Sequence, residues 1–484
     1  MKSVRITTSR AWRHFRRGGF RYAMPWLSLH RWRQRLLLVF GALLAGLLCI
    51  LFAIGAEFAI AAHSGLMRAY PWLTLIVAPA GFALIVWVAR RFVPATLGSG
   101  IPQAIAASLT DNRAIRRKLL SVRIAIAKIV LTLGAMLCGA SAGREGPSVQ
   151  IGASVMHALY GRRRKNRIAS SRDLIVAGSG AGVAAAFNTP LGGIMFAIEE
   201  MCRYRAFQAN NTTLTSVIFA GLMSLALLGG YTYFGSTPVT LTWPGGIWAI
   251  VLCGLFGGLF GGLFSRMLIA TSRGLPGAVG RFATQRPVLF AAGCGLATAL
   301  AGLATGGLTY GPGYDETKAA LEGETPLPMY FMLVKMFVIW LVFVSRIPGG
   351  IFAPSLAVGA GLGANVAWLL PPDQAAAVLA LGMVAFLSAM TQTPITSFVI
   401  VMEMTDNHHM LLPLMATSVI AHAIARTVSP VPLYQALAYP LLRRTESETR
   451  REHAPSSAPP APPTAETGAA VEPSVDTPPP STPR

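Results

Sequence analysis

Gly143-Arg144-Glu145-Gly146-Pro147-Ser148-Val149-Gln150-Ile151-Gly152-Ala153 decides how this chain folds, because its pattern returns at Gly350-Ile351-Phe352-Ala353-Pro354-Ser355-Leu356-Ala357-Val358-Gly359-Ala360. Both stretches fit G-x-x-x-P-S-x-x-x-G-A, and Gly350 lies 207 residues after Gly143. A second pair follows each copy. Thr189-Pro190 leads to Glu200-Met201, and Thr393-Pro394 leads to Glu403-Met404, with 204 residues between the prolines. Two landmarks at nearly one offset predict a duplicated unit. Duplicated halves with interrupted helices place a substrate site where the halves meet, so a transport pathway is the first functional expectation.

The chain has 484 residues, is 53% hydrophobic and only 12% charged, with a mean hydropathy of +0.53. A soluble domain carries about 25% charged residues, so the composition is that of an integral membrane protein. Leu36 to Ala62, Trp72 to Ala89, Trp248 to Ala270 and Met329 to Val344 are long apolar stretches, each expected to cross a hydrocarbon core that takes roughly 20 helical residues. Leu191–Ile198 and Ile395–Met402 are too short, each lying between a proline and a glutamate. Such half-spans survive at membrane depth only when buried in protein or beside a wet cavity.

The formal net charge of +22 invites a nucleic-acid reading. The cations, however, cluster in Lys2 to Arg35, Arg113 to Lys118, Arg162 to Arg172 and Arg443 to Arg451, as short flanks of apolar spans. That is the positive-inside pattern of cytoplasmic loops, suited to anionic lipid rather than to nucleic acid, and it places both termini in the cytoplasm. No cleavable signal peptide is expected, since the first apolar run starts after about thirty-five residues and exceeds the roughly 7–15 residues of a signal core. Cys49, Cys138, Cys202, Cys253 and Cys294 are scattered through apolar sequence without C-x-x-C spacing, so they read as small core residues rather than a disulfide or zinc framework.

The expected organisation is a basic interfacial leader at 1–35, a first membrane repeat at 36–230, a connecting loop at 231–245, a second repeat at 246–445 and a disordered Pro-rich cytoplasmic tail at 446–484. The tail has too few apolar residues to offset the entropy of ordering. Tyr310-Gly311-Pro312-Gly313-Tyr314-Asp315 is expected to open a polar loop outside the membrane.

A charge at mid-membrane is expensive, so each one is a functional candidate by default. The candidates are Glu57, Lys128, Arg144, Glu145, Glu199, Glu200, Lys335, Arg346, Glu403 and Asp406. Glu145 stands between Gly143 and Gly146 and two residues before Pro147. Proline suits the first turn of a helix, which predicts that Glu145 sits at a helix N-terminus, where unpaired N–H groups and the helix dipole attract an anion. Gly350-Ile351-Phe352-Ala353-Pro354 has the same layout without a carboxylate. One copy carries its own anion and the other leaves the place open. The plainer alternative is a pair of tight turns in which Glu145 pairs with Arg144. Ser99, in the Gly98-Ser99-Gly100-Ile101-Pro102 turn, and Tyr434, after Pro432-Leu433, offer hydroxyl donors without a full charge, which keeps anion binding weak enough for turnover.

These motifs, in this order and spacing, resemble the CLC chloride channel and transporter family, as do Phe187-Asn188-Thr189-Pro190 to Glu200 and Glu403-Met404-Thr405-Asp406. The resemblance covers roughly residues 36–445. It implies an all-α membrane protein of two inverted-topology repeats with tilted and discontinuous helices, and a homodimer with one anion pathway per subunit. It further implies that the Ser99 and Tyr434 hydroxyls, with the backbone N–H groups of Ile351 and Phe352, hold chloride. The backbone of Arg144 and Gly146 would line an outer anion position. Glu145 would be the gate, leaving the path when protonated and competing with chloride when ionised, and Glu200 the internal proton acceptor. On the residues alone, Glu200 or Glu199 reads as well as a helix-end carboxylate.

Carrying both Glu145 and Glu200 resembles the proton-coupled exchangers, with a passive channel as the alternative, and Ser99 resembles the chloride-preferring pattern. The missing regulatory cytoplasmic domain pair implies a prokaryotic-type protein of the inner membrane, with chloride, protons and lipid as partners and no cofactor. Gln103 stands where glutamate often follows this turn and is expected to alter the charge of the inner vestibule. Arg346 occupies a usually small, neutral stretch and is expected to raise anion concentration at the cytoplasmic mouth. Lys128 has no partner assignable from sequence. From another class, an intramembrane serine hydrolase would draw on Ser141, Ser148 or Ser179 with His157 or His422, but no spaced triad set accompanies them. His408-His409 lacks the H-x-x-x-H spacing of a metal site.

Overall fold

The computed structural model describes residues 29–159, 169–203, 211–229, 232–235, 239–242 and 245–453. Most of the basic leader, most of the Arg162–Arg172 cluster, parts of the 231–245 connector and the tail beyond His453 lie outside the described residues. In chain order the helices are α1 (Leu29–Ala69), α2 (Thr74–Phe92), α3 (Ile101–Leu109), α4 (Arg113–Leu119), α5 (Val122–Leu137), α6 (Glu145–Ala158), α7 (Ser171–Phe187), α8 (Pro190–Glu199) and α9 (Asn211–Leu228) in the first half. The second half holds α10 (Gly245–Ser272), α11 (Gly277–Gln285), α12 (Pro287–Ala304), α13 (Tyr314–Leu321), α14 (Phe331–Val344), α15 (Phe352–Ala367), α16 (Ala375–Thr391), α17 (Pro394–Thr405), α18 (Leu411–Val428) and α19 (Leu433–His453). Among the described residues there is no strand, only an isolated antiparallel bridge between Gly143 and Gly350.

That bridge joins equivalent residues of the two sequence repeats. Gly143 N donates to Gly350 O and Gly350 N to Gly143 O, both at 2.7 Å. Two equivalent residues can exchange both bonds only if a local two-fold relates their surroundings. A second reciprocal pair obeys the same operation. Glu403 accepts from Leu191 N at 3.0 Å and Gly192 N at 2.7 Å, and so caps α8. Glu199 accepts from Ile395 N at 3.2 Å and from Thr396 N and Oγ1 at 2.6 and 2.8 Å, and so caps α17. Each helix begins with a proline, so its first free N–H groups would be orphaned in lipid without these carboxylates. The repeat register follows: the counterpart of Glu403 is Glu199, not Glu200 as the matched Glu-Met dipeptides suggest.

Among the described residues, six helices are long and apolar enough to cross a membrane, including Trp32–Ala69, Pro71–Phe92 and Gly245–Ser272. The chain is therefore a multi-pass membrane protein. Met329–Val344, expected to cross, is instead a helix of 14 residues (α14) that runs into the broken start at Gly350. Close packing relies on glycine: a Cβ at Gly261 of α10 would stand 2.7 Å from Ala389 Cβ of α16, and one at Gly258 2.9 Å from Ala421 O of α18. Small residues let backbones approach closely where lipid gives no hydrophobic drive. Helix α19 continues to His453, eight residues past the expected membrane boundary at 445, because Thr445 and Thr449 bury and bond back to Leu441 O and Thr445 O.

Replacing one crossed cap, Glu199→Ala, leaves two N–H groups of α17 unpaired. It is expected to cost about 1–2 kcal/mol, read as a lowered thermal midpoint in detergent. An unchanged midpoint contradicts the capping role.

Candidate functional site

Three helix starts and one turn meet around the Gly143–Gly350 bridge. The Gly98-Ser99-Gly100 turn enters α3 with φ of +77° at Gly98 and +114° at Gly100. That left-handed backbone needs glycine, and a Cβ at Gly100 would approach Gly146 O within 2.5 Å. The turn is tied to the second repeat: Gly98 N donates to Arg346 O and Gly349 N to Gly98 O, both at 3.3 Å. It is also held from below. Lys128, fully buried on α5, donates to Thr96 O at 2.8 Å and Gly98 O at 2.5 Å, which supplies the partners that sequence left unassigned. Gln103 accepts from Gly100 N at 3.0 Å and donates to Leu97 O at 2.6 Å. It therefore closes the turn that carries Ser99, and the expectation that it resets vestibule charge gives way to a backbone role.

Around this turn stand donors without acceptors. The Ser99 and Tyr434 hydroxyls are buried, at 8% and 0% residue exposure, and neither has a hydrogen-bond partner. An unsatisfied buried polar group costs about 1–3 kcal/mol, so two at one helix junction mark a place that a ligand completes. Ile351 caps α15 and Phe352 opens it, and the first N–H groups of a helix have no intrahelical partner. Phe352 rests on Phe187, with ring centroids 5.7 Å apart. Arg144 and Gly146 hold the equivalent start of α6. Backbone N–H groups at helix starts of both repeats, together with two hydroxyls, suit an anion.

Glu145 is buried at 1% exposure at the start of α6. Its Oε2 accepts from Ala353 N of the opposite repeat at 3.4 Å, while Oε1 has no partner. The carboxylate of one copy thus reaches the helix start of the other. Arg144 does not take it as its ion pair. The guanidinium pairs instead with Glu57 of α1, Nη1 to Oε1 at 2.8 Å, donates to Ala53 O at 3.2 Å and lies 5.1 Å from the Tyr233 ring centroid. Pairing across to α1 displaces the neighbour pairing considered from sequence. The Glu57 side chain is 64% exposed, so it forms the open end of a chain of charges running to Glu145.

Glu200 follows the end of α8, is buried at 1% exposure, and neither of its carboxylate oxygens has a hydrogen-bond partner. The Arg203 guanidinium approaches to 3.5 Å of Oε2, and Gln435, next to Tyr434, donates to Glu200 O at 3.1 Å. Glu199 faces the other way as the α17 cap. Helix-end capping therefore belongs to Glu199 and leaves Glu200 available. Tyr434 lies within electrostatic reach of both Glu145 and Glu200. Arg346 is exposed with φ of +60° and stands near Arg90 and Arg444.

Among the described residues, none of Ser141, Ser148 and Ser179 is hydrogen-bonded to His157 or His422. His157 meets Ser171 at 3.0 Å, and Ser179 donates to Ile175 O. Two residues that sequence named without a role acquire one. Glu57 is the partner of Arg144, and Lys335 donates to Thr309 O, Tyr310 O and Gly311 O at 3.1, 3.1 and 3.0 Å. The Tyr310–Gly313 turn is thus buried in protein and not the opening of an exposed loop. Lys335 follows Lys128 by 207 residues, the offset of the glycines, and that spacing was the available signal for this second turn-holding lysine.

The fold and site define a polytopic, inverted-repeat membrane protein whose broken helices meet at a buried cluster of unpaired donors. The profile of the voltage-gated chloride channel family matches residues 81–426, and the chain belongs to that family. It is 31% identical to the H+/Cl− exchange transporter ClcA of Cronobacter sakazakii over 484 aligned positions, which cover 93% of this chain and 99% of that protein. Its structure is similar to that of a slow cyanobacterial Cl−/H+ antiporter, with a TM-score of 0.72, 26% identity and coverage of 87% of this chain and 99% of the other. It also resembles a CLC-type fluoride/proton antiporter, with a TM-score of 0.70, 25% identity and coverage of 83% and 97%.

Lys128→Met removes the donor to two carbonyls beneath Ser99. Anion affinity is expected to fall about tenfold, one to two kcal/mol for a lost charged hydrogen bond, measured by calorimetric titration with chloride. Wild-type affinity in the folded variant contradicts this role.

Proposed function

We propose that this protein exchanges chloride for protons across a membrane, with Glu145 as the gating carboxylate and Glu200 as the internal proton acceptor. The observation that carries the reading is the pairing of two unpartnered hydroxyl donors, Ser99 and Tyr434, with a buried carboxylate that already reaches the opposite helix start. A halide accepts hydrogen bonds and donates none, so it completes this site, held by Ser99, Tyr434 and the N–H groups of Ile351 and Phe352. Ionised Glu145 competes with chloride for such donors. Protonation removes its charge, and it yields the place to an anion near Arg144 and Gly146. Exchange then follows from competition coupled to proton transfer.

Glu200 supports the inner half of the proton route, because its buried carboxylate takes no part in helix capping and Tyr434 lies within electrostatic reach of both it and Glu145. The names carried by the relatives favour exchange over a passive channel. We further read the protein as a homodimer with a pathway in each subunit, in the inner membrane with both termini cytoplasmic, on the distribution of its arginines and the family resemblance. Arg346, beside Arg90 and Arg444, supports a positive inner mouth that concentrates anions.

Liposomes loaded with chloride and monitored for external pH test the assignment. Wild type is expected to move protons against a gradient when chloride flows. Glu145→Ala and Glu200→Gln are each expected to pass chloride while losing proton movement. Uphill proton transport by Glu145→Ala overturns the gate. Arg346→Gly is expected to lower chloride flux severalfold at low ionic strength and much less at high, and unchanged flux removes its steering role.

A further inference from the structure

The segment between α10 and α12 carries three arginines and no acid, the charge pattern of a cytoplasm-facing loop. Helix α11 is a nine-residue segment between α10 and α12 with no buried residue. Beneath it lies a cavity of about 270 Å³, lined on the α11 side by Leu275, Val279 and Phe282 and on the other by Gly293, Trp340 and Val344 of α12 and α14. Val279 and Phe282 lie three residues apart on one face of α11, as in an interfacial amphipathic helix, and Leu275 joins them from the turn before it. A Cβ at Gly293 would meet nothing within 4 Å. The Trp340 indole N–H is buried and has no hydrogen-bond partner.

Around this cavity the charge is of one sign. Arg273, Arg281 and Arg286 flank and occupy α11, all exposed, and none meets a carboxylate among the described residues. The sequence contains no Asp or Glu from Met201 to Tyr314, so no acid of this segment can neutralise them. An apolar cavity of this volume takes part of one hydrocarbon chain, and arginines at its rim suit a phosphate. Basic pockets between membrane helices on the cytoplasmic side bind anionic headgroups.

We propose that the cavity beneath α11 is a binding site for one anionic phospholipid of the cytoplasmic leaflet. An acyl chain lies between Val279, Phe282 and Trp340, and the phosphate meets Arg281 and Arg286. The site lies apart from the residues of the anion pathway, and it stands whether or not protons are coupled to chloride.

Native mass spectrometry of the full chain, offered equal phosphatidylglycerol and phosphatidylcholine, tests this. The wild type is expected to retain one phosphatidylglycerol per chain, preferred about 25-fold, since each of Arg281 and Arg286 near a surface adds about a factor of five. The double variant Arg281→Gln, Arg286→Gln is expected to bring the two lipids to parity. Gly293→Phe, which fills the cavity, is expected to lose retention of both, with chloride flux kept as the sign of an intact fold. Val279→Trp on the exposed α11 serves the same purpose if Gly293→Phe does not fold. Equal retention of both lipids by the wild type overturns the proposal. Retention that survives filling of the cavity does so too, because it reduces the site to surface charge. Displacement of the lipid by inorganic phosphate alone overturns the acyl-chain half.

Discussion

Every polar backbone group inside the bilayer has to find its partner within the protein, and this chain starts several helices there. Helix starts bring N–H groups that nothing in the same helix can satisfy, and lipid offers no acceptor. The solution is reciprocal. Gly143 and Gly350 exchange their bonds, and Glu199 and Glu403 each cap the helix that belongs to the other repeat. The two halves are therefore not merely packed together; each completes the hydrogen bonding of the other. The starts of α6 and α15 meet at the same junction, beside the Gly143–Gly350 bridge.

On this near-symmetric frame the chemistry is asymmetric. Lys128 and Lys335 hold equivalent glycine turns through their carbonyls, one beneath Ser99 and one at Tyr310–Gly313. The Ser99 hydroxyl of the first turn has no hydrogen-bond partner among the described residues, whereas Tyr310 of the second donates its own to Ala299 O at 3.0 Å. Glu145 has no counterpart at Phe352, so its carboxylate crosses to the vacant helix start and bonds to Ala353 N. Two equivalent helix starts thus share a single carboxylate, as duplication followed by divergence of one residue provides. The Arg144 guanidinium reaches out to Glu57 and Tyr233. Glu145 crosses the repeat axis through a hydrogen bond from Ala353 N at 3.4 Å.

The inner side follows the same economy. Adjacent acids Glu199 and Glu200 divide their work by geometry: one is committed to capping across the repeat axis and the other is buried without hydrogen bonds. Helix α19 brings Tyr434 to the site and Gln435 onto Glu200, then runs on to His453, where Lys118 pairs with Glu452 at 2.6 Å. Tyr434 is therefore held at the start of a long helix whose other end is tied to α4.

Much of this was legible in the residues. Repeated Gly-x-x-x-Pro-Ser motifs in an apolar chain dictate duplicated, interrupted helices, because glycine and proline at those spacings cannot continue a span. Sparse charges inside the bilayer single out Glu145, Glu200 and Lys128, since each is costly enough to need a reason. What remained illegible was pairing. Whether Arg144 turns to Glu145 or Glu57, whether Glu199 or Glu200 matches Glu403, and which carbonyls Lys128 holds are distances between residues far apart in sequence. Local pattern dictates where a helix must break; only the folded arrangement of the two repeats selects which group, across the axis, answers each broken end.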